Sequence, residues 1–213
     1  MRVIHPLYDN FGGILSRTEA RKFLNERKKL QIGPDEKIIL FFGFIRRYKG
    51  LDILLRAMAD PVMKNSGIRL LIAGEFYEDP STYQQLIRDL DIGDRLILCT
   101  NFIPDSEVQY YLCAADAVIQ PYRHATQSGV TPLAYHFEKP MIVSNVGSFA
   151  EHVLHEETGL VAEPEPAPLA RAILRFYELG GEYFIPHLRN EKKKYSWKNL
   201  VNTLLGLSHD IQK

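Results

Sequence analysis

The segment Ile38-Ile39-Leu40-Phe41-Phe42-Gly43-Phe44-Ile45-Arg46-Arg47-Tyr48-Lys49-Gly50 runs from an unbroken apolar stretch through a glycine into a cluster of fixed positive charge. Apolar residues on both faces of a short run suit a strand buried on both sides, as in a parallel sheet covered by helices. Open α/β sheets bind ligands in the crevice at the carboxyl ends of their strands. Gly43 then marks the turn, and Arg46, Arg47 and Lys49 stand where such a sheet presents cations to an anion. Taken alone, a basic triplet reads as solvated loop charge; the rest of the chain reverses that reading.

After residue 36, strand-like and helix-like patterns alternate. Strands are predicted over residues 37–43, 68–74, 96–99, 117–121, 140–144 and 159–162, and helices over 51–63, 81–90, 105–114, 130–137 and 166–179. Repeated βα units imply a Rossmann-like, doubly wound parallel α/β sheet of about six strands. The ends differ. Residues 4–13 form a turn-rich lead-in, and 16–30 read as an amphipathic helix with Ser16 as N-cap and Glu19 completing a capping box. Residues 181–213 read as helical, with the basic run Lys192-Lys193-Lys194 and apolar Leu200, Val201, Leu204 and Leu205 at helical spacing. The division is therefore 1–36 as lead-in and helix, 37–180 as the sheet domain, and 181–213 as carboxy-terminal helices.

At 213 residues, 46% hydrophobic and 24% charged, the chain has the composition of an ordinary globular protein. Lys plus Arg and Asp plus Glu both number 26, so no overall field draws nucleic acid or anionic lipid, and any anion site is local. Cys99 and Cys113 sit in or beside apolar segments, which suits reduced, buried thiols and a cytoplasmic setting. The amino terminus lacks the apolar core of a signal peptide, and no run reaches the roughly 18 apolar residues of a membrane span.

A second segment, Gln120-Pro121-Tyr122-Arg123-His124-Ala125-Thr126-Gln127-Ser128-Gly129-Val130-Thr131-Pro132, joins a strand end to a helix start. Free backbone N–H groups at Ser128, Gly129 and Val130, aided by the helix dipole, would form a phosphate site; the plainer reading is an ordinary N-cap. Two such turns opening at one sheet edge allow a diphosphate to bridge them. Asp89-Leu90-Asp91 spells a metal-binding carboxylate pair but falls at a helix end. His124 reads as a polar surface or capping residue rather than a catalytic base, Glu151 either reaches the crevice or caps the following turn, and Lys192 to Lys194 read as a solvated helix face rather than a lipid contact.

Phe42-Gly43, Lys49-Gly50, Ala73-Gly74, Tyr111, Ala115-Asp116, Pro121, Pro140, Gly147 to Glu151 and Gly159, in that order and spacing, resemble the donor-binding half of retaining GT-B glycosyltransferases of group 1 (family 4). The resemblance covers residues 37 to 178, and Tyr195-Ser196-Trp197 is similar to the end of these enzymes. It implies a nucleotide-sugar donor, usually a nucleoside diphosphate one, and no metal or other cofactor. Lys49 matches the family lysine that neutralises the leaving diphosphate. Phe44 occupies the place of the usual arginine, so that catalytic role passes to Arg46 or Arg47, Arg46 being the choice because it stands closest to the strand end. Gly43, Arg47, Gln127, Ser128, Gly129, Val130 and Thr131 are the implied donor-binding residues. The family's two glutamates fall on Ala125 and Leu133, leaving Gln127, Ser128 and Thr131 as the polar groups that substitute. The implied partners are a missing amino-terminal half of roughly 150 residues, in the same protein or on a partner subunit, and a glycan or lipid-linked acceptor met with peripheral membrane contact. The competing expectation is a non-catalytic nucleotide-binding or interaction module.

Overall fold

The computed structural model describes residues 10–125 and 127–211, with side chains to residue 205. Among them, six strands form one all-parallel sheet in the order β3-β2-β1-β4-β5-β6. β1 (Lys37–Phe42) lies at the centre and is buried throughout apart from Lys37, which is why its sequence is continuously apolar rather than alternating. The chain steps outward through α2 (Leu51–Ala59), β2 (Ile68–Ala73), α3 (Ser81–Leu90) and β3 (Leu96–Cys99). It then returns across α4 (Asp105–Ala114) to β4 (Ala117–Gln120), on the other side of β1. From there α5 (Val130–His136), β5 (Met141–Ser144), β6 (Gly159–Ala162) and α6 (Pro166–Leu179) build the second half. The reversal of direction leaves a crevice between the carboxyl ends of β1 and β4.

The amino ends of these two strands are tied together. α1 (Arg17–Lys28) starts at Ser16 with the expected capping box: Glu19 N donates to Ser16 Oγ at 3.2 Å and Ser16 N to Glu19 Oε2 at 3.0 Å. Its Arg21 is 2% exposed and donates to the carbonyls of Ala114, Gly33, Pro34 and Glu36. Asp116 accepts from Arg17, from Ile38 N at the head of β1 and from the Tyr177 hydroxyl of α6. Phe23 stacks on Tyr110 at 3.6 Å, holding α1 against α4. This polar knot braces the end of the sheet opposite the crevice.

Several expected boundaries move. The helix expected over 51–63 stops at Ala59, because Asp60 precedes Pro61 and takes an extended ψ of 137°; a short 3₁₀ turn, Pro61–Met63, follows. The carboxy-terminal stretch is two helices, α7 (Gly181–Lys192) and α8 (Trp197–Ile211), parted where Ser196 turns extended and its Oγ accepts from Asn199 N. Most of the lead-in expected over residues 4–13 lies outside the described residues. Lys192 donates to the His136 carbonyl, and Lys194 pairs with Glu191 at 2.7 Å, so the basic run is largely engaged by its own fold. Among the described residues no helix is long and apolar enough to cross a membrane.

Candidate functional site

The crevice holds a cavity of about 600 Å³. One wall is the turn after β1, with Phe42, Gly43, Phe44, Tyr48 and Lys49. The other is Tyr122 with residues Gln127 to Leu133, from the turn after β4 into α5. Gly50 explains how close these walls come. It adopts φ +68°, and a Cβ there would overlap the Pro121 carbonyl oxygen, so only glycine lets the two turns touch. Arg123 N donates to the Tyr48 carbonyl at 2.8 Å, and the Arg123 guanidinium pairs with Asp52 at the head of α2. The two turns are thus fastened to each other.

Lys49 is 9% exposed, with Nζ 5.9 Å from the centre of the Tyr122 ring. Burial, and then the Arg46 charge beside it, push its ammonium down to about 8; no carboxylate among the described residues offsets this. An ideal Cβ on Gly43 would lie 3.3 Å from Lys49 Nζ and 3.8 Å from Val130 Cγ2, so the lysine and the head of α5 converge on one spot. The other two cations part from it. Arg46 lies over the Tyr77 ring at 4.0 Å and does not line the cavity. Arg47 is exposed and faces a neighbouring cleft of about 880 Å³ that also contains Asp52, Glu78 and Arg123.

The Gln127 to Thr131 turn lines the second wall of the cavity. Val130 N–H is not free, since it donates to Ser128 Oγ at 3.2 Å, closing a short turn. The N–H groups of Ser128 and Gly129 make no hydrogen bond to other described residues. α5 has seven residues, so its dipole is short. Ser128 Oγ also lies 3.0 Å from the Tyr122 hydroxyl, whose pKa burial pushes up, keeping it a neutral phenol. Thr131 Oγ1 donates to Gln120 Oε1 at 3.3 Å, while Gln120 Nε2 is buried without a partner.

Leu133 lines the cavity and Ala125 flanks it through a half-buried loop, so the two places the family resemblance gives to glutamate carry apolar groups here. Sequence reasoning missed His152, Tyr195 and Phe11, all of which line the cavity. The Tyr135 hydroxyl donates to the His152 carbonyl at 2.7 Å, and Tyr135 stacks on Tyr195 at 4.7 Å. Tyr195 belongs to the quoted Tyr-Ser-Trp tail, but nothing in its spacing shows that it folds back to this crevice. His124 is exposed and outside the cavity. Asp89 lies near the end of α3, with Asp91 in the left-handed cap beyond it. Among the described residues no three His, Cys, Asp or Glu side chains gather to hold a metal ion.

A family model described as Glycosyl transferases group 1 matches residues 36–178. This chain belongs to that family. The chain is 28% identical over 189 residues to an uncharacterized glycosyltransferase of Methanocaldococcus jannaschii, matching 86% of this chain and 47% of that one. To the D-inositol 3-phosphate glycosyltransferase of Acidothermus cellulolyticus it is 27% identical over 202 residues, covering 86% and 43%. The chain therefore spans about half the length of the curated relatives it matches. In fold it is similar to sucrose-phosphate synthase from Thermosynechococcus elongatus, with TM-score 0.79, 23% identity and coverage of 98% and 52%. It is also similar to the Anabaena HepE structure in complex with UDP and glucose, with TM-score 0.74, 18% identity and coverage of 100% and 56%. The parallel sheet of this group 1 glycosyltransferase domain is that of a GT-B carboxy-terminal half.

Proposed function

We propose that this chain is the donor-binding half of a retaining glycosyltransferase, and that its cavity holds the diphosphate of a nucleotide sugar. The observation that carries the reading is Lys49: a buried ammonium with no counter-charge among the described residues, facing an open cavity at the switch point of the sheet. A diphosphate there meets Lys49 Nζ on one side and the N–H groups of Ser128 and Gly129 on the other. As the sugar–oxygen bond breaks, negative charge grows on the diphosphate, and these donors stabilise it without needing to move. Arg46 joins them by leaving the Tyr77 ring and turning toward the ligand, and Arg47 supplies charge from the adjoining cleft. Gly43 keeps the backbone close, and Gln127 and Thr131 complete the polar rim. Metal is not required in this scheme, because Lys49 supplies the countercharge.

Sugar transfer needs donor and acceptor held together away from water, and this domain supplies one wall of such a cleft. The acceptor side, for a glycan or lipid-linked sugar, belongs to a second half in the same protein or on a partner subunit. The cytoplasmic setting is part of the proposal and accords with two unpaired cysteines. One observation favours a binding-only module instead: no carboxylate stands among the described cavity residues to hold sugar hydroxyls. Titration with UDP and transfer assays decide between them. Binding in the micromolar to millimolar range is expected, weakened by about 1 to 3 kcal/mol in Lys49→Ala. Transfer should be absent from residues 1–213 alone and restored with the second half. UDP affinity indifferent to Lys49→Ala would sink the site, and failure to restore transfer would favour the binding-only module.

A further inference from the structure

The cavity's lysine differs from every exposed lysine on the chain in a way that bears on covalent chemistry. An amine attacks an acyl carbon only as the neutral form, and most surface lysines hold their proton near neutral pH. Lys49 is buried against Tyr122 and Gly43, carries no ion pair with a described carboxylate, and has Arg46 close enough to disfavour its charge. Its amine nevertheless opens onto about 600 Å³ of free volume that also contains the Ser128 and Gly129 N–H groups. Phe42, Phe44 and Val130 give the same space apolar walls. A phosphate donor-pair, a neutral-prone nucleophile and an apolar slot together match one small-molecule class.

We infer that Lys49 is a modification site for acyl phosphates, and that its acylation closes the cavity to nucleoside diphosphates. The phosphate head sits on the Ser128 and Gly129 amides and the short acyl group lies against Phe42 and Val130, which brings the acyl carbon to Nζ. The nitrogen lone pair forms the new N–C bond and the C–O bond to phosphate breaks. Inorganic phosphate leaves with that electron pair, and the surplus proton on nitrogen passes to it or to water. The product is a neutral amide. It removes the positive charge of Lys49 and fills the space beside Gly43, so the same event takes away both that charge and room for the donor. The phosphate seat rests on the reading of the cavity as a diphosphate site, while the reactivity of the amine does not.

The test treats the 213-residue chain with acetyl phosphate at pH 8 and maps acetylation on each lysine by peptide mass spectrometry. Near pH 8 about half of Lys49 is neutral, against well under a hundredth of an ordinary lysine; a weaker base is also a weaker nucleophile, which offsets part of that gain. Lys49 should therefore acetylate roughly tenfold faster than exposed Lys198. UDP added beforehand should suppress the reaction at Lys49 alone, and the acetylated chain should lose UDP binding as Lys49→Gln does. Acetylation of Lys49 no faster than Lys198 overturns the inference, even if titration shows that UDP binds. Preferential acetylation that UDP fails to block keeps the modification site and instead removes the diphosphate reading of the cavity.

Discussion

Lys49 is held in a state that the folded chain alone does not favour. Its ammonium titrates near 8 in the fold, against 10.5 for an ordinary lysine, chiefly because burial strips its water. Above pH 10.5 the group is neutral folded or unfolded and costs nothing. As pH falls toward 8 the unfolded chain takes up the proton first, so stability drops, and below 8 the loss is constant at about 3 kcal/mol. Lys49→Met should therefore raise unfolding free energy by up to about 3 kcal/mol at pH 7 and by less than about 1 kcal/mol at pH 10, read from urea melts at both pH values. An equal gain at the two would mean that packing, not charge, explains it. The basic triplet was legible in sequence because it follows a continuously apolar strand. Which of the three faces the cavity was not, since Arg46 is drawn to Tyr77, a residue of another turn that only the folded sheet brings near. Leu133 was legible as a departure from the family pattern, yet its place in the cavity wall needed the structure.

Among the elements, the periodic ones could be read and their ends followed from local chemistry. α3, β3, α4, β6 and α6 begin and end where apolar spacing and proline placed them. α2 was read too long because its apolar pattern continues into Val62 and Met63, although Pro61 already forces its neighbour out of helical geometry. Arg21 could not be read at all: on an amphipathic helix it looks like surface charge, and its partners are carbonyls distant in sequence. Arg21→Ala should leave those buried carbonyls unsatisfied and cost about 3 kcal/mol or more, with α1 detaching first in hydrogen exchange. At the opposite end of the sheet, Gly50→Ala should cost about 2 kcal/mol or more through its left-handed backbone and the overlap with Pro121. The same substitution should weaken UDP binding by parting the turns; unchanged affinity in a folded Gly50→Ala protein would show that their contact does not set the site.

For the molecule as a whole, a formal net charge of zero gives no overall field to draw an anion, so on the proposed reading its recognition falls to the crevice. EDTA should leave UDP affinity essentially unchanged in titration, whereas a strict need for a divalent ion would require a different site. One face stands apart from this charge balance: Trp197, Val201, Leu204 and Leu205 are each about half exposed along α8, on a chain about half as long as its matched relatives. The fastening of Tyr48 to Arg123 and of Gly50 against Pro121 has a different bearing, on measurement of length. Two walls pinned at their base cannot slide closer for a short ligand or apart for a long one. On the diphosphate reading proposed above, the gap between Lys49 and the Ser128 and Gly129 amides would then act as a gauge of ligand length.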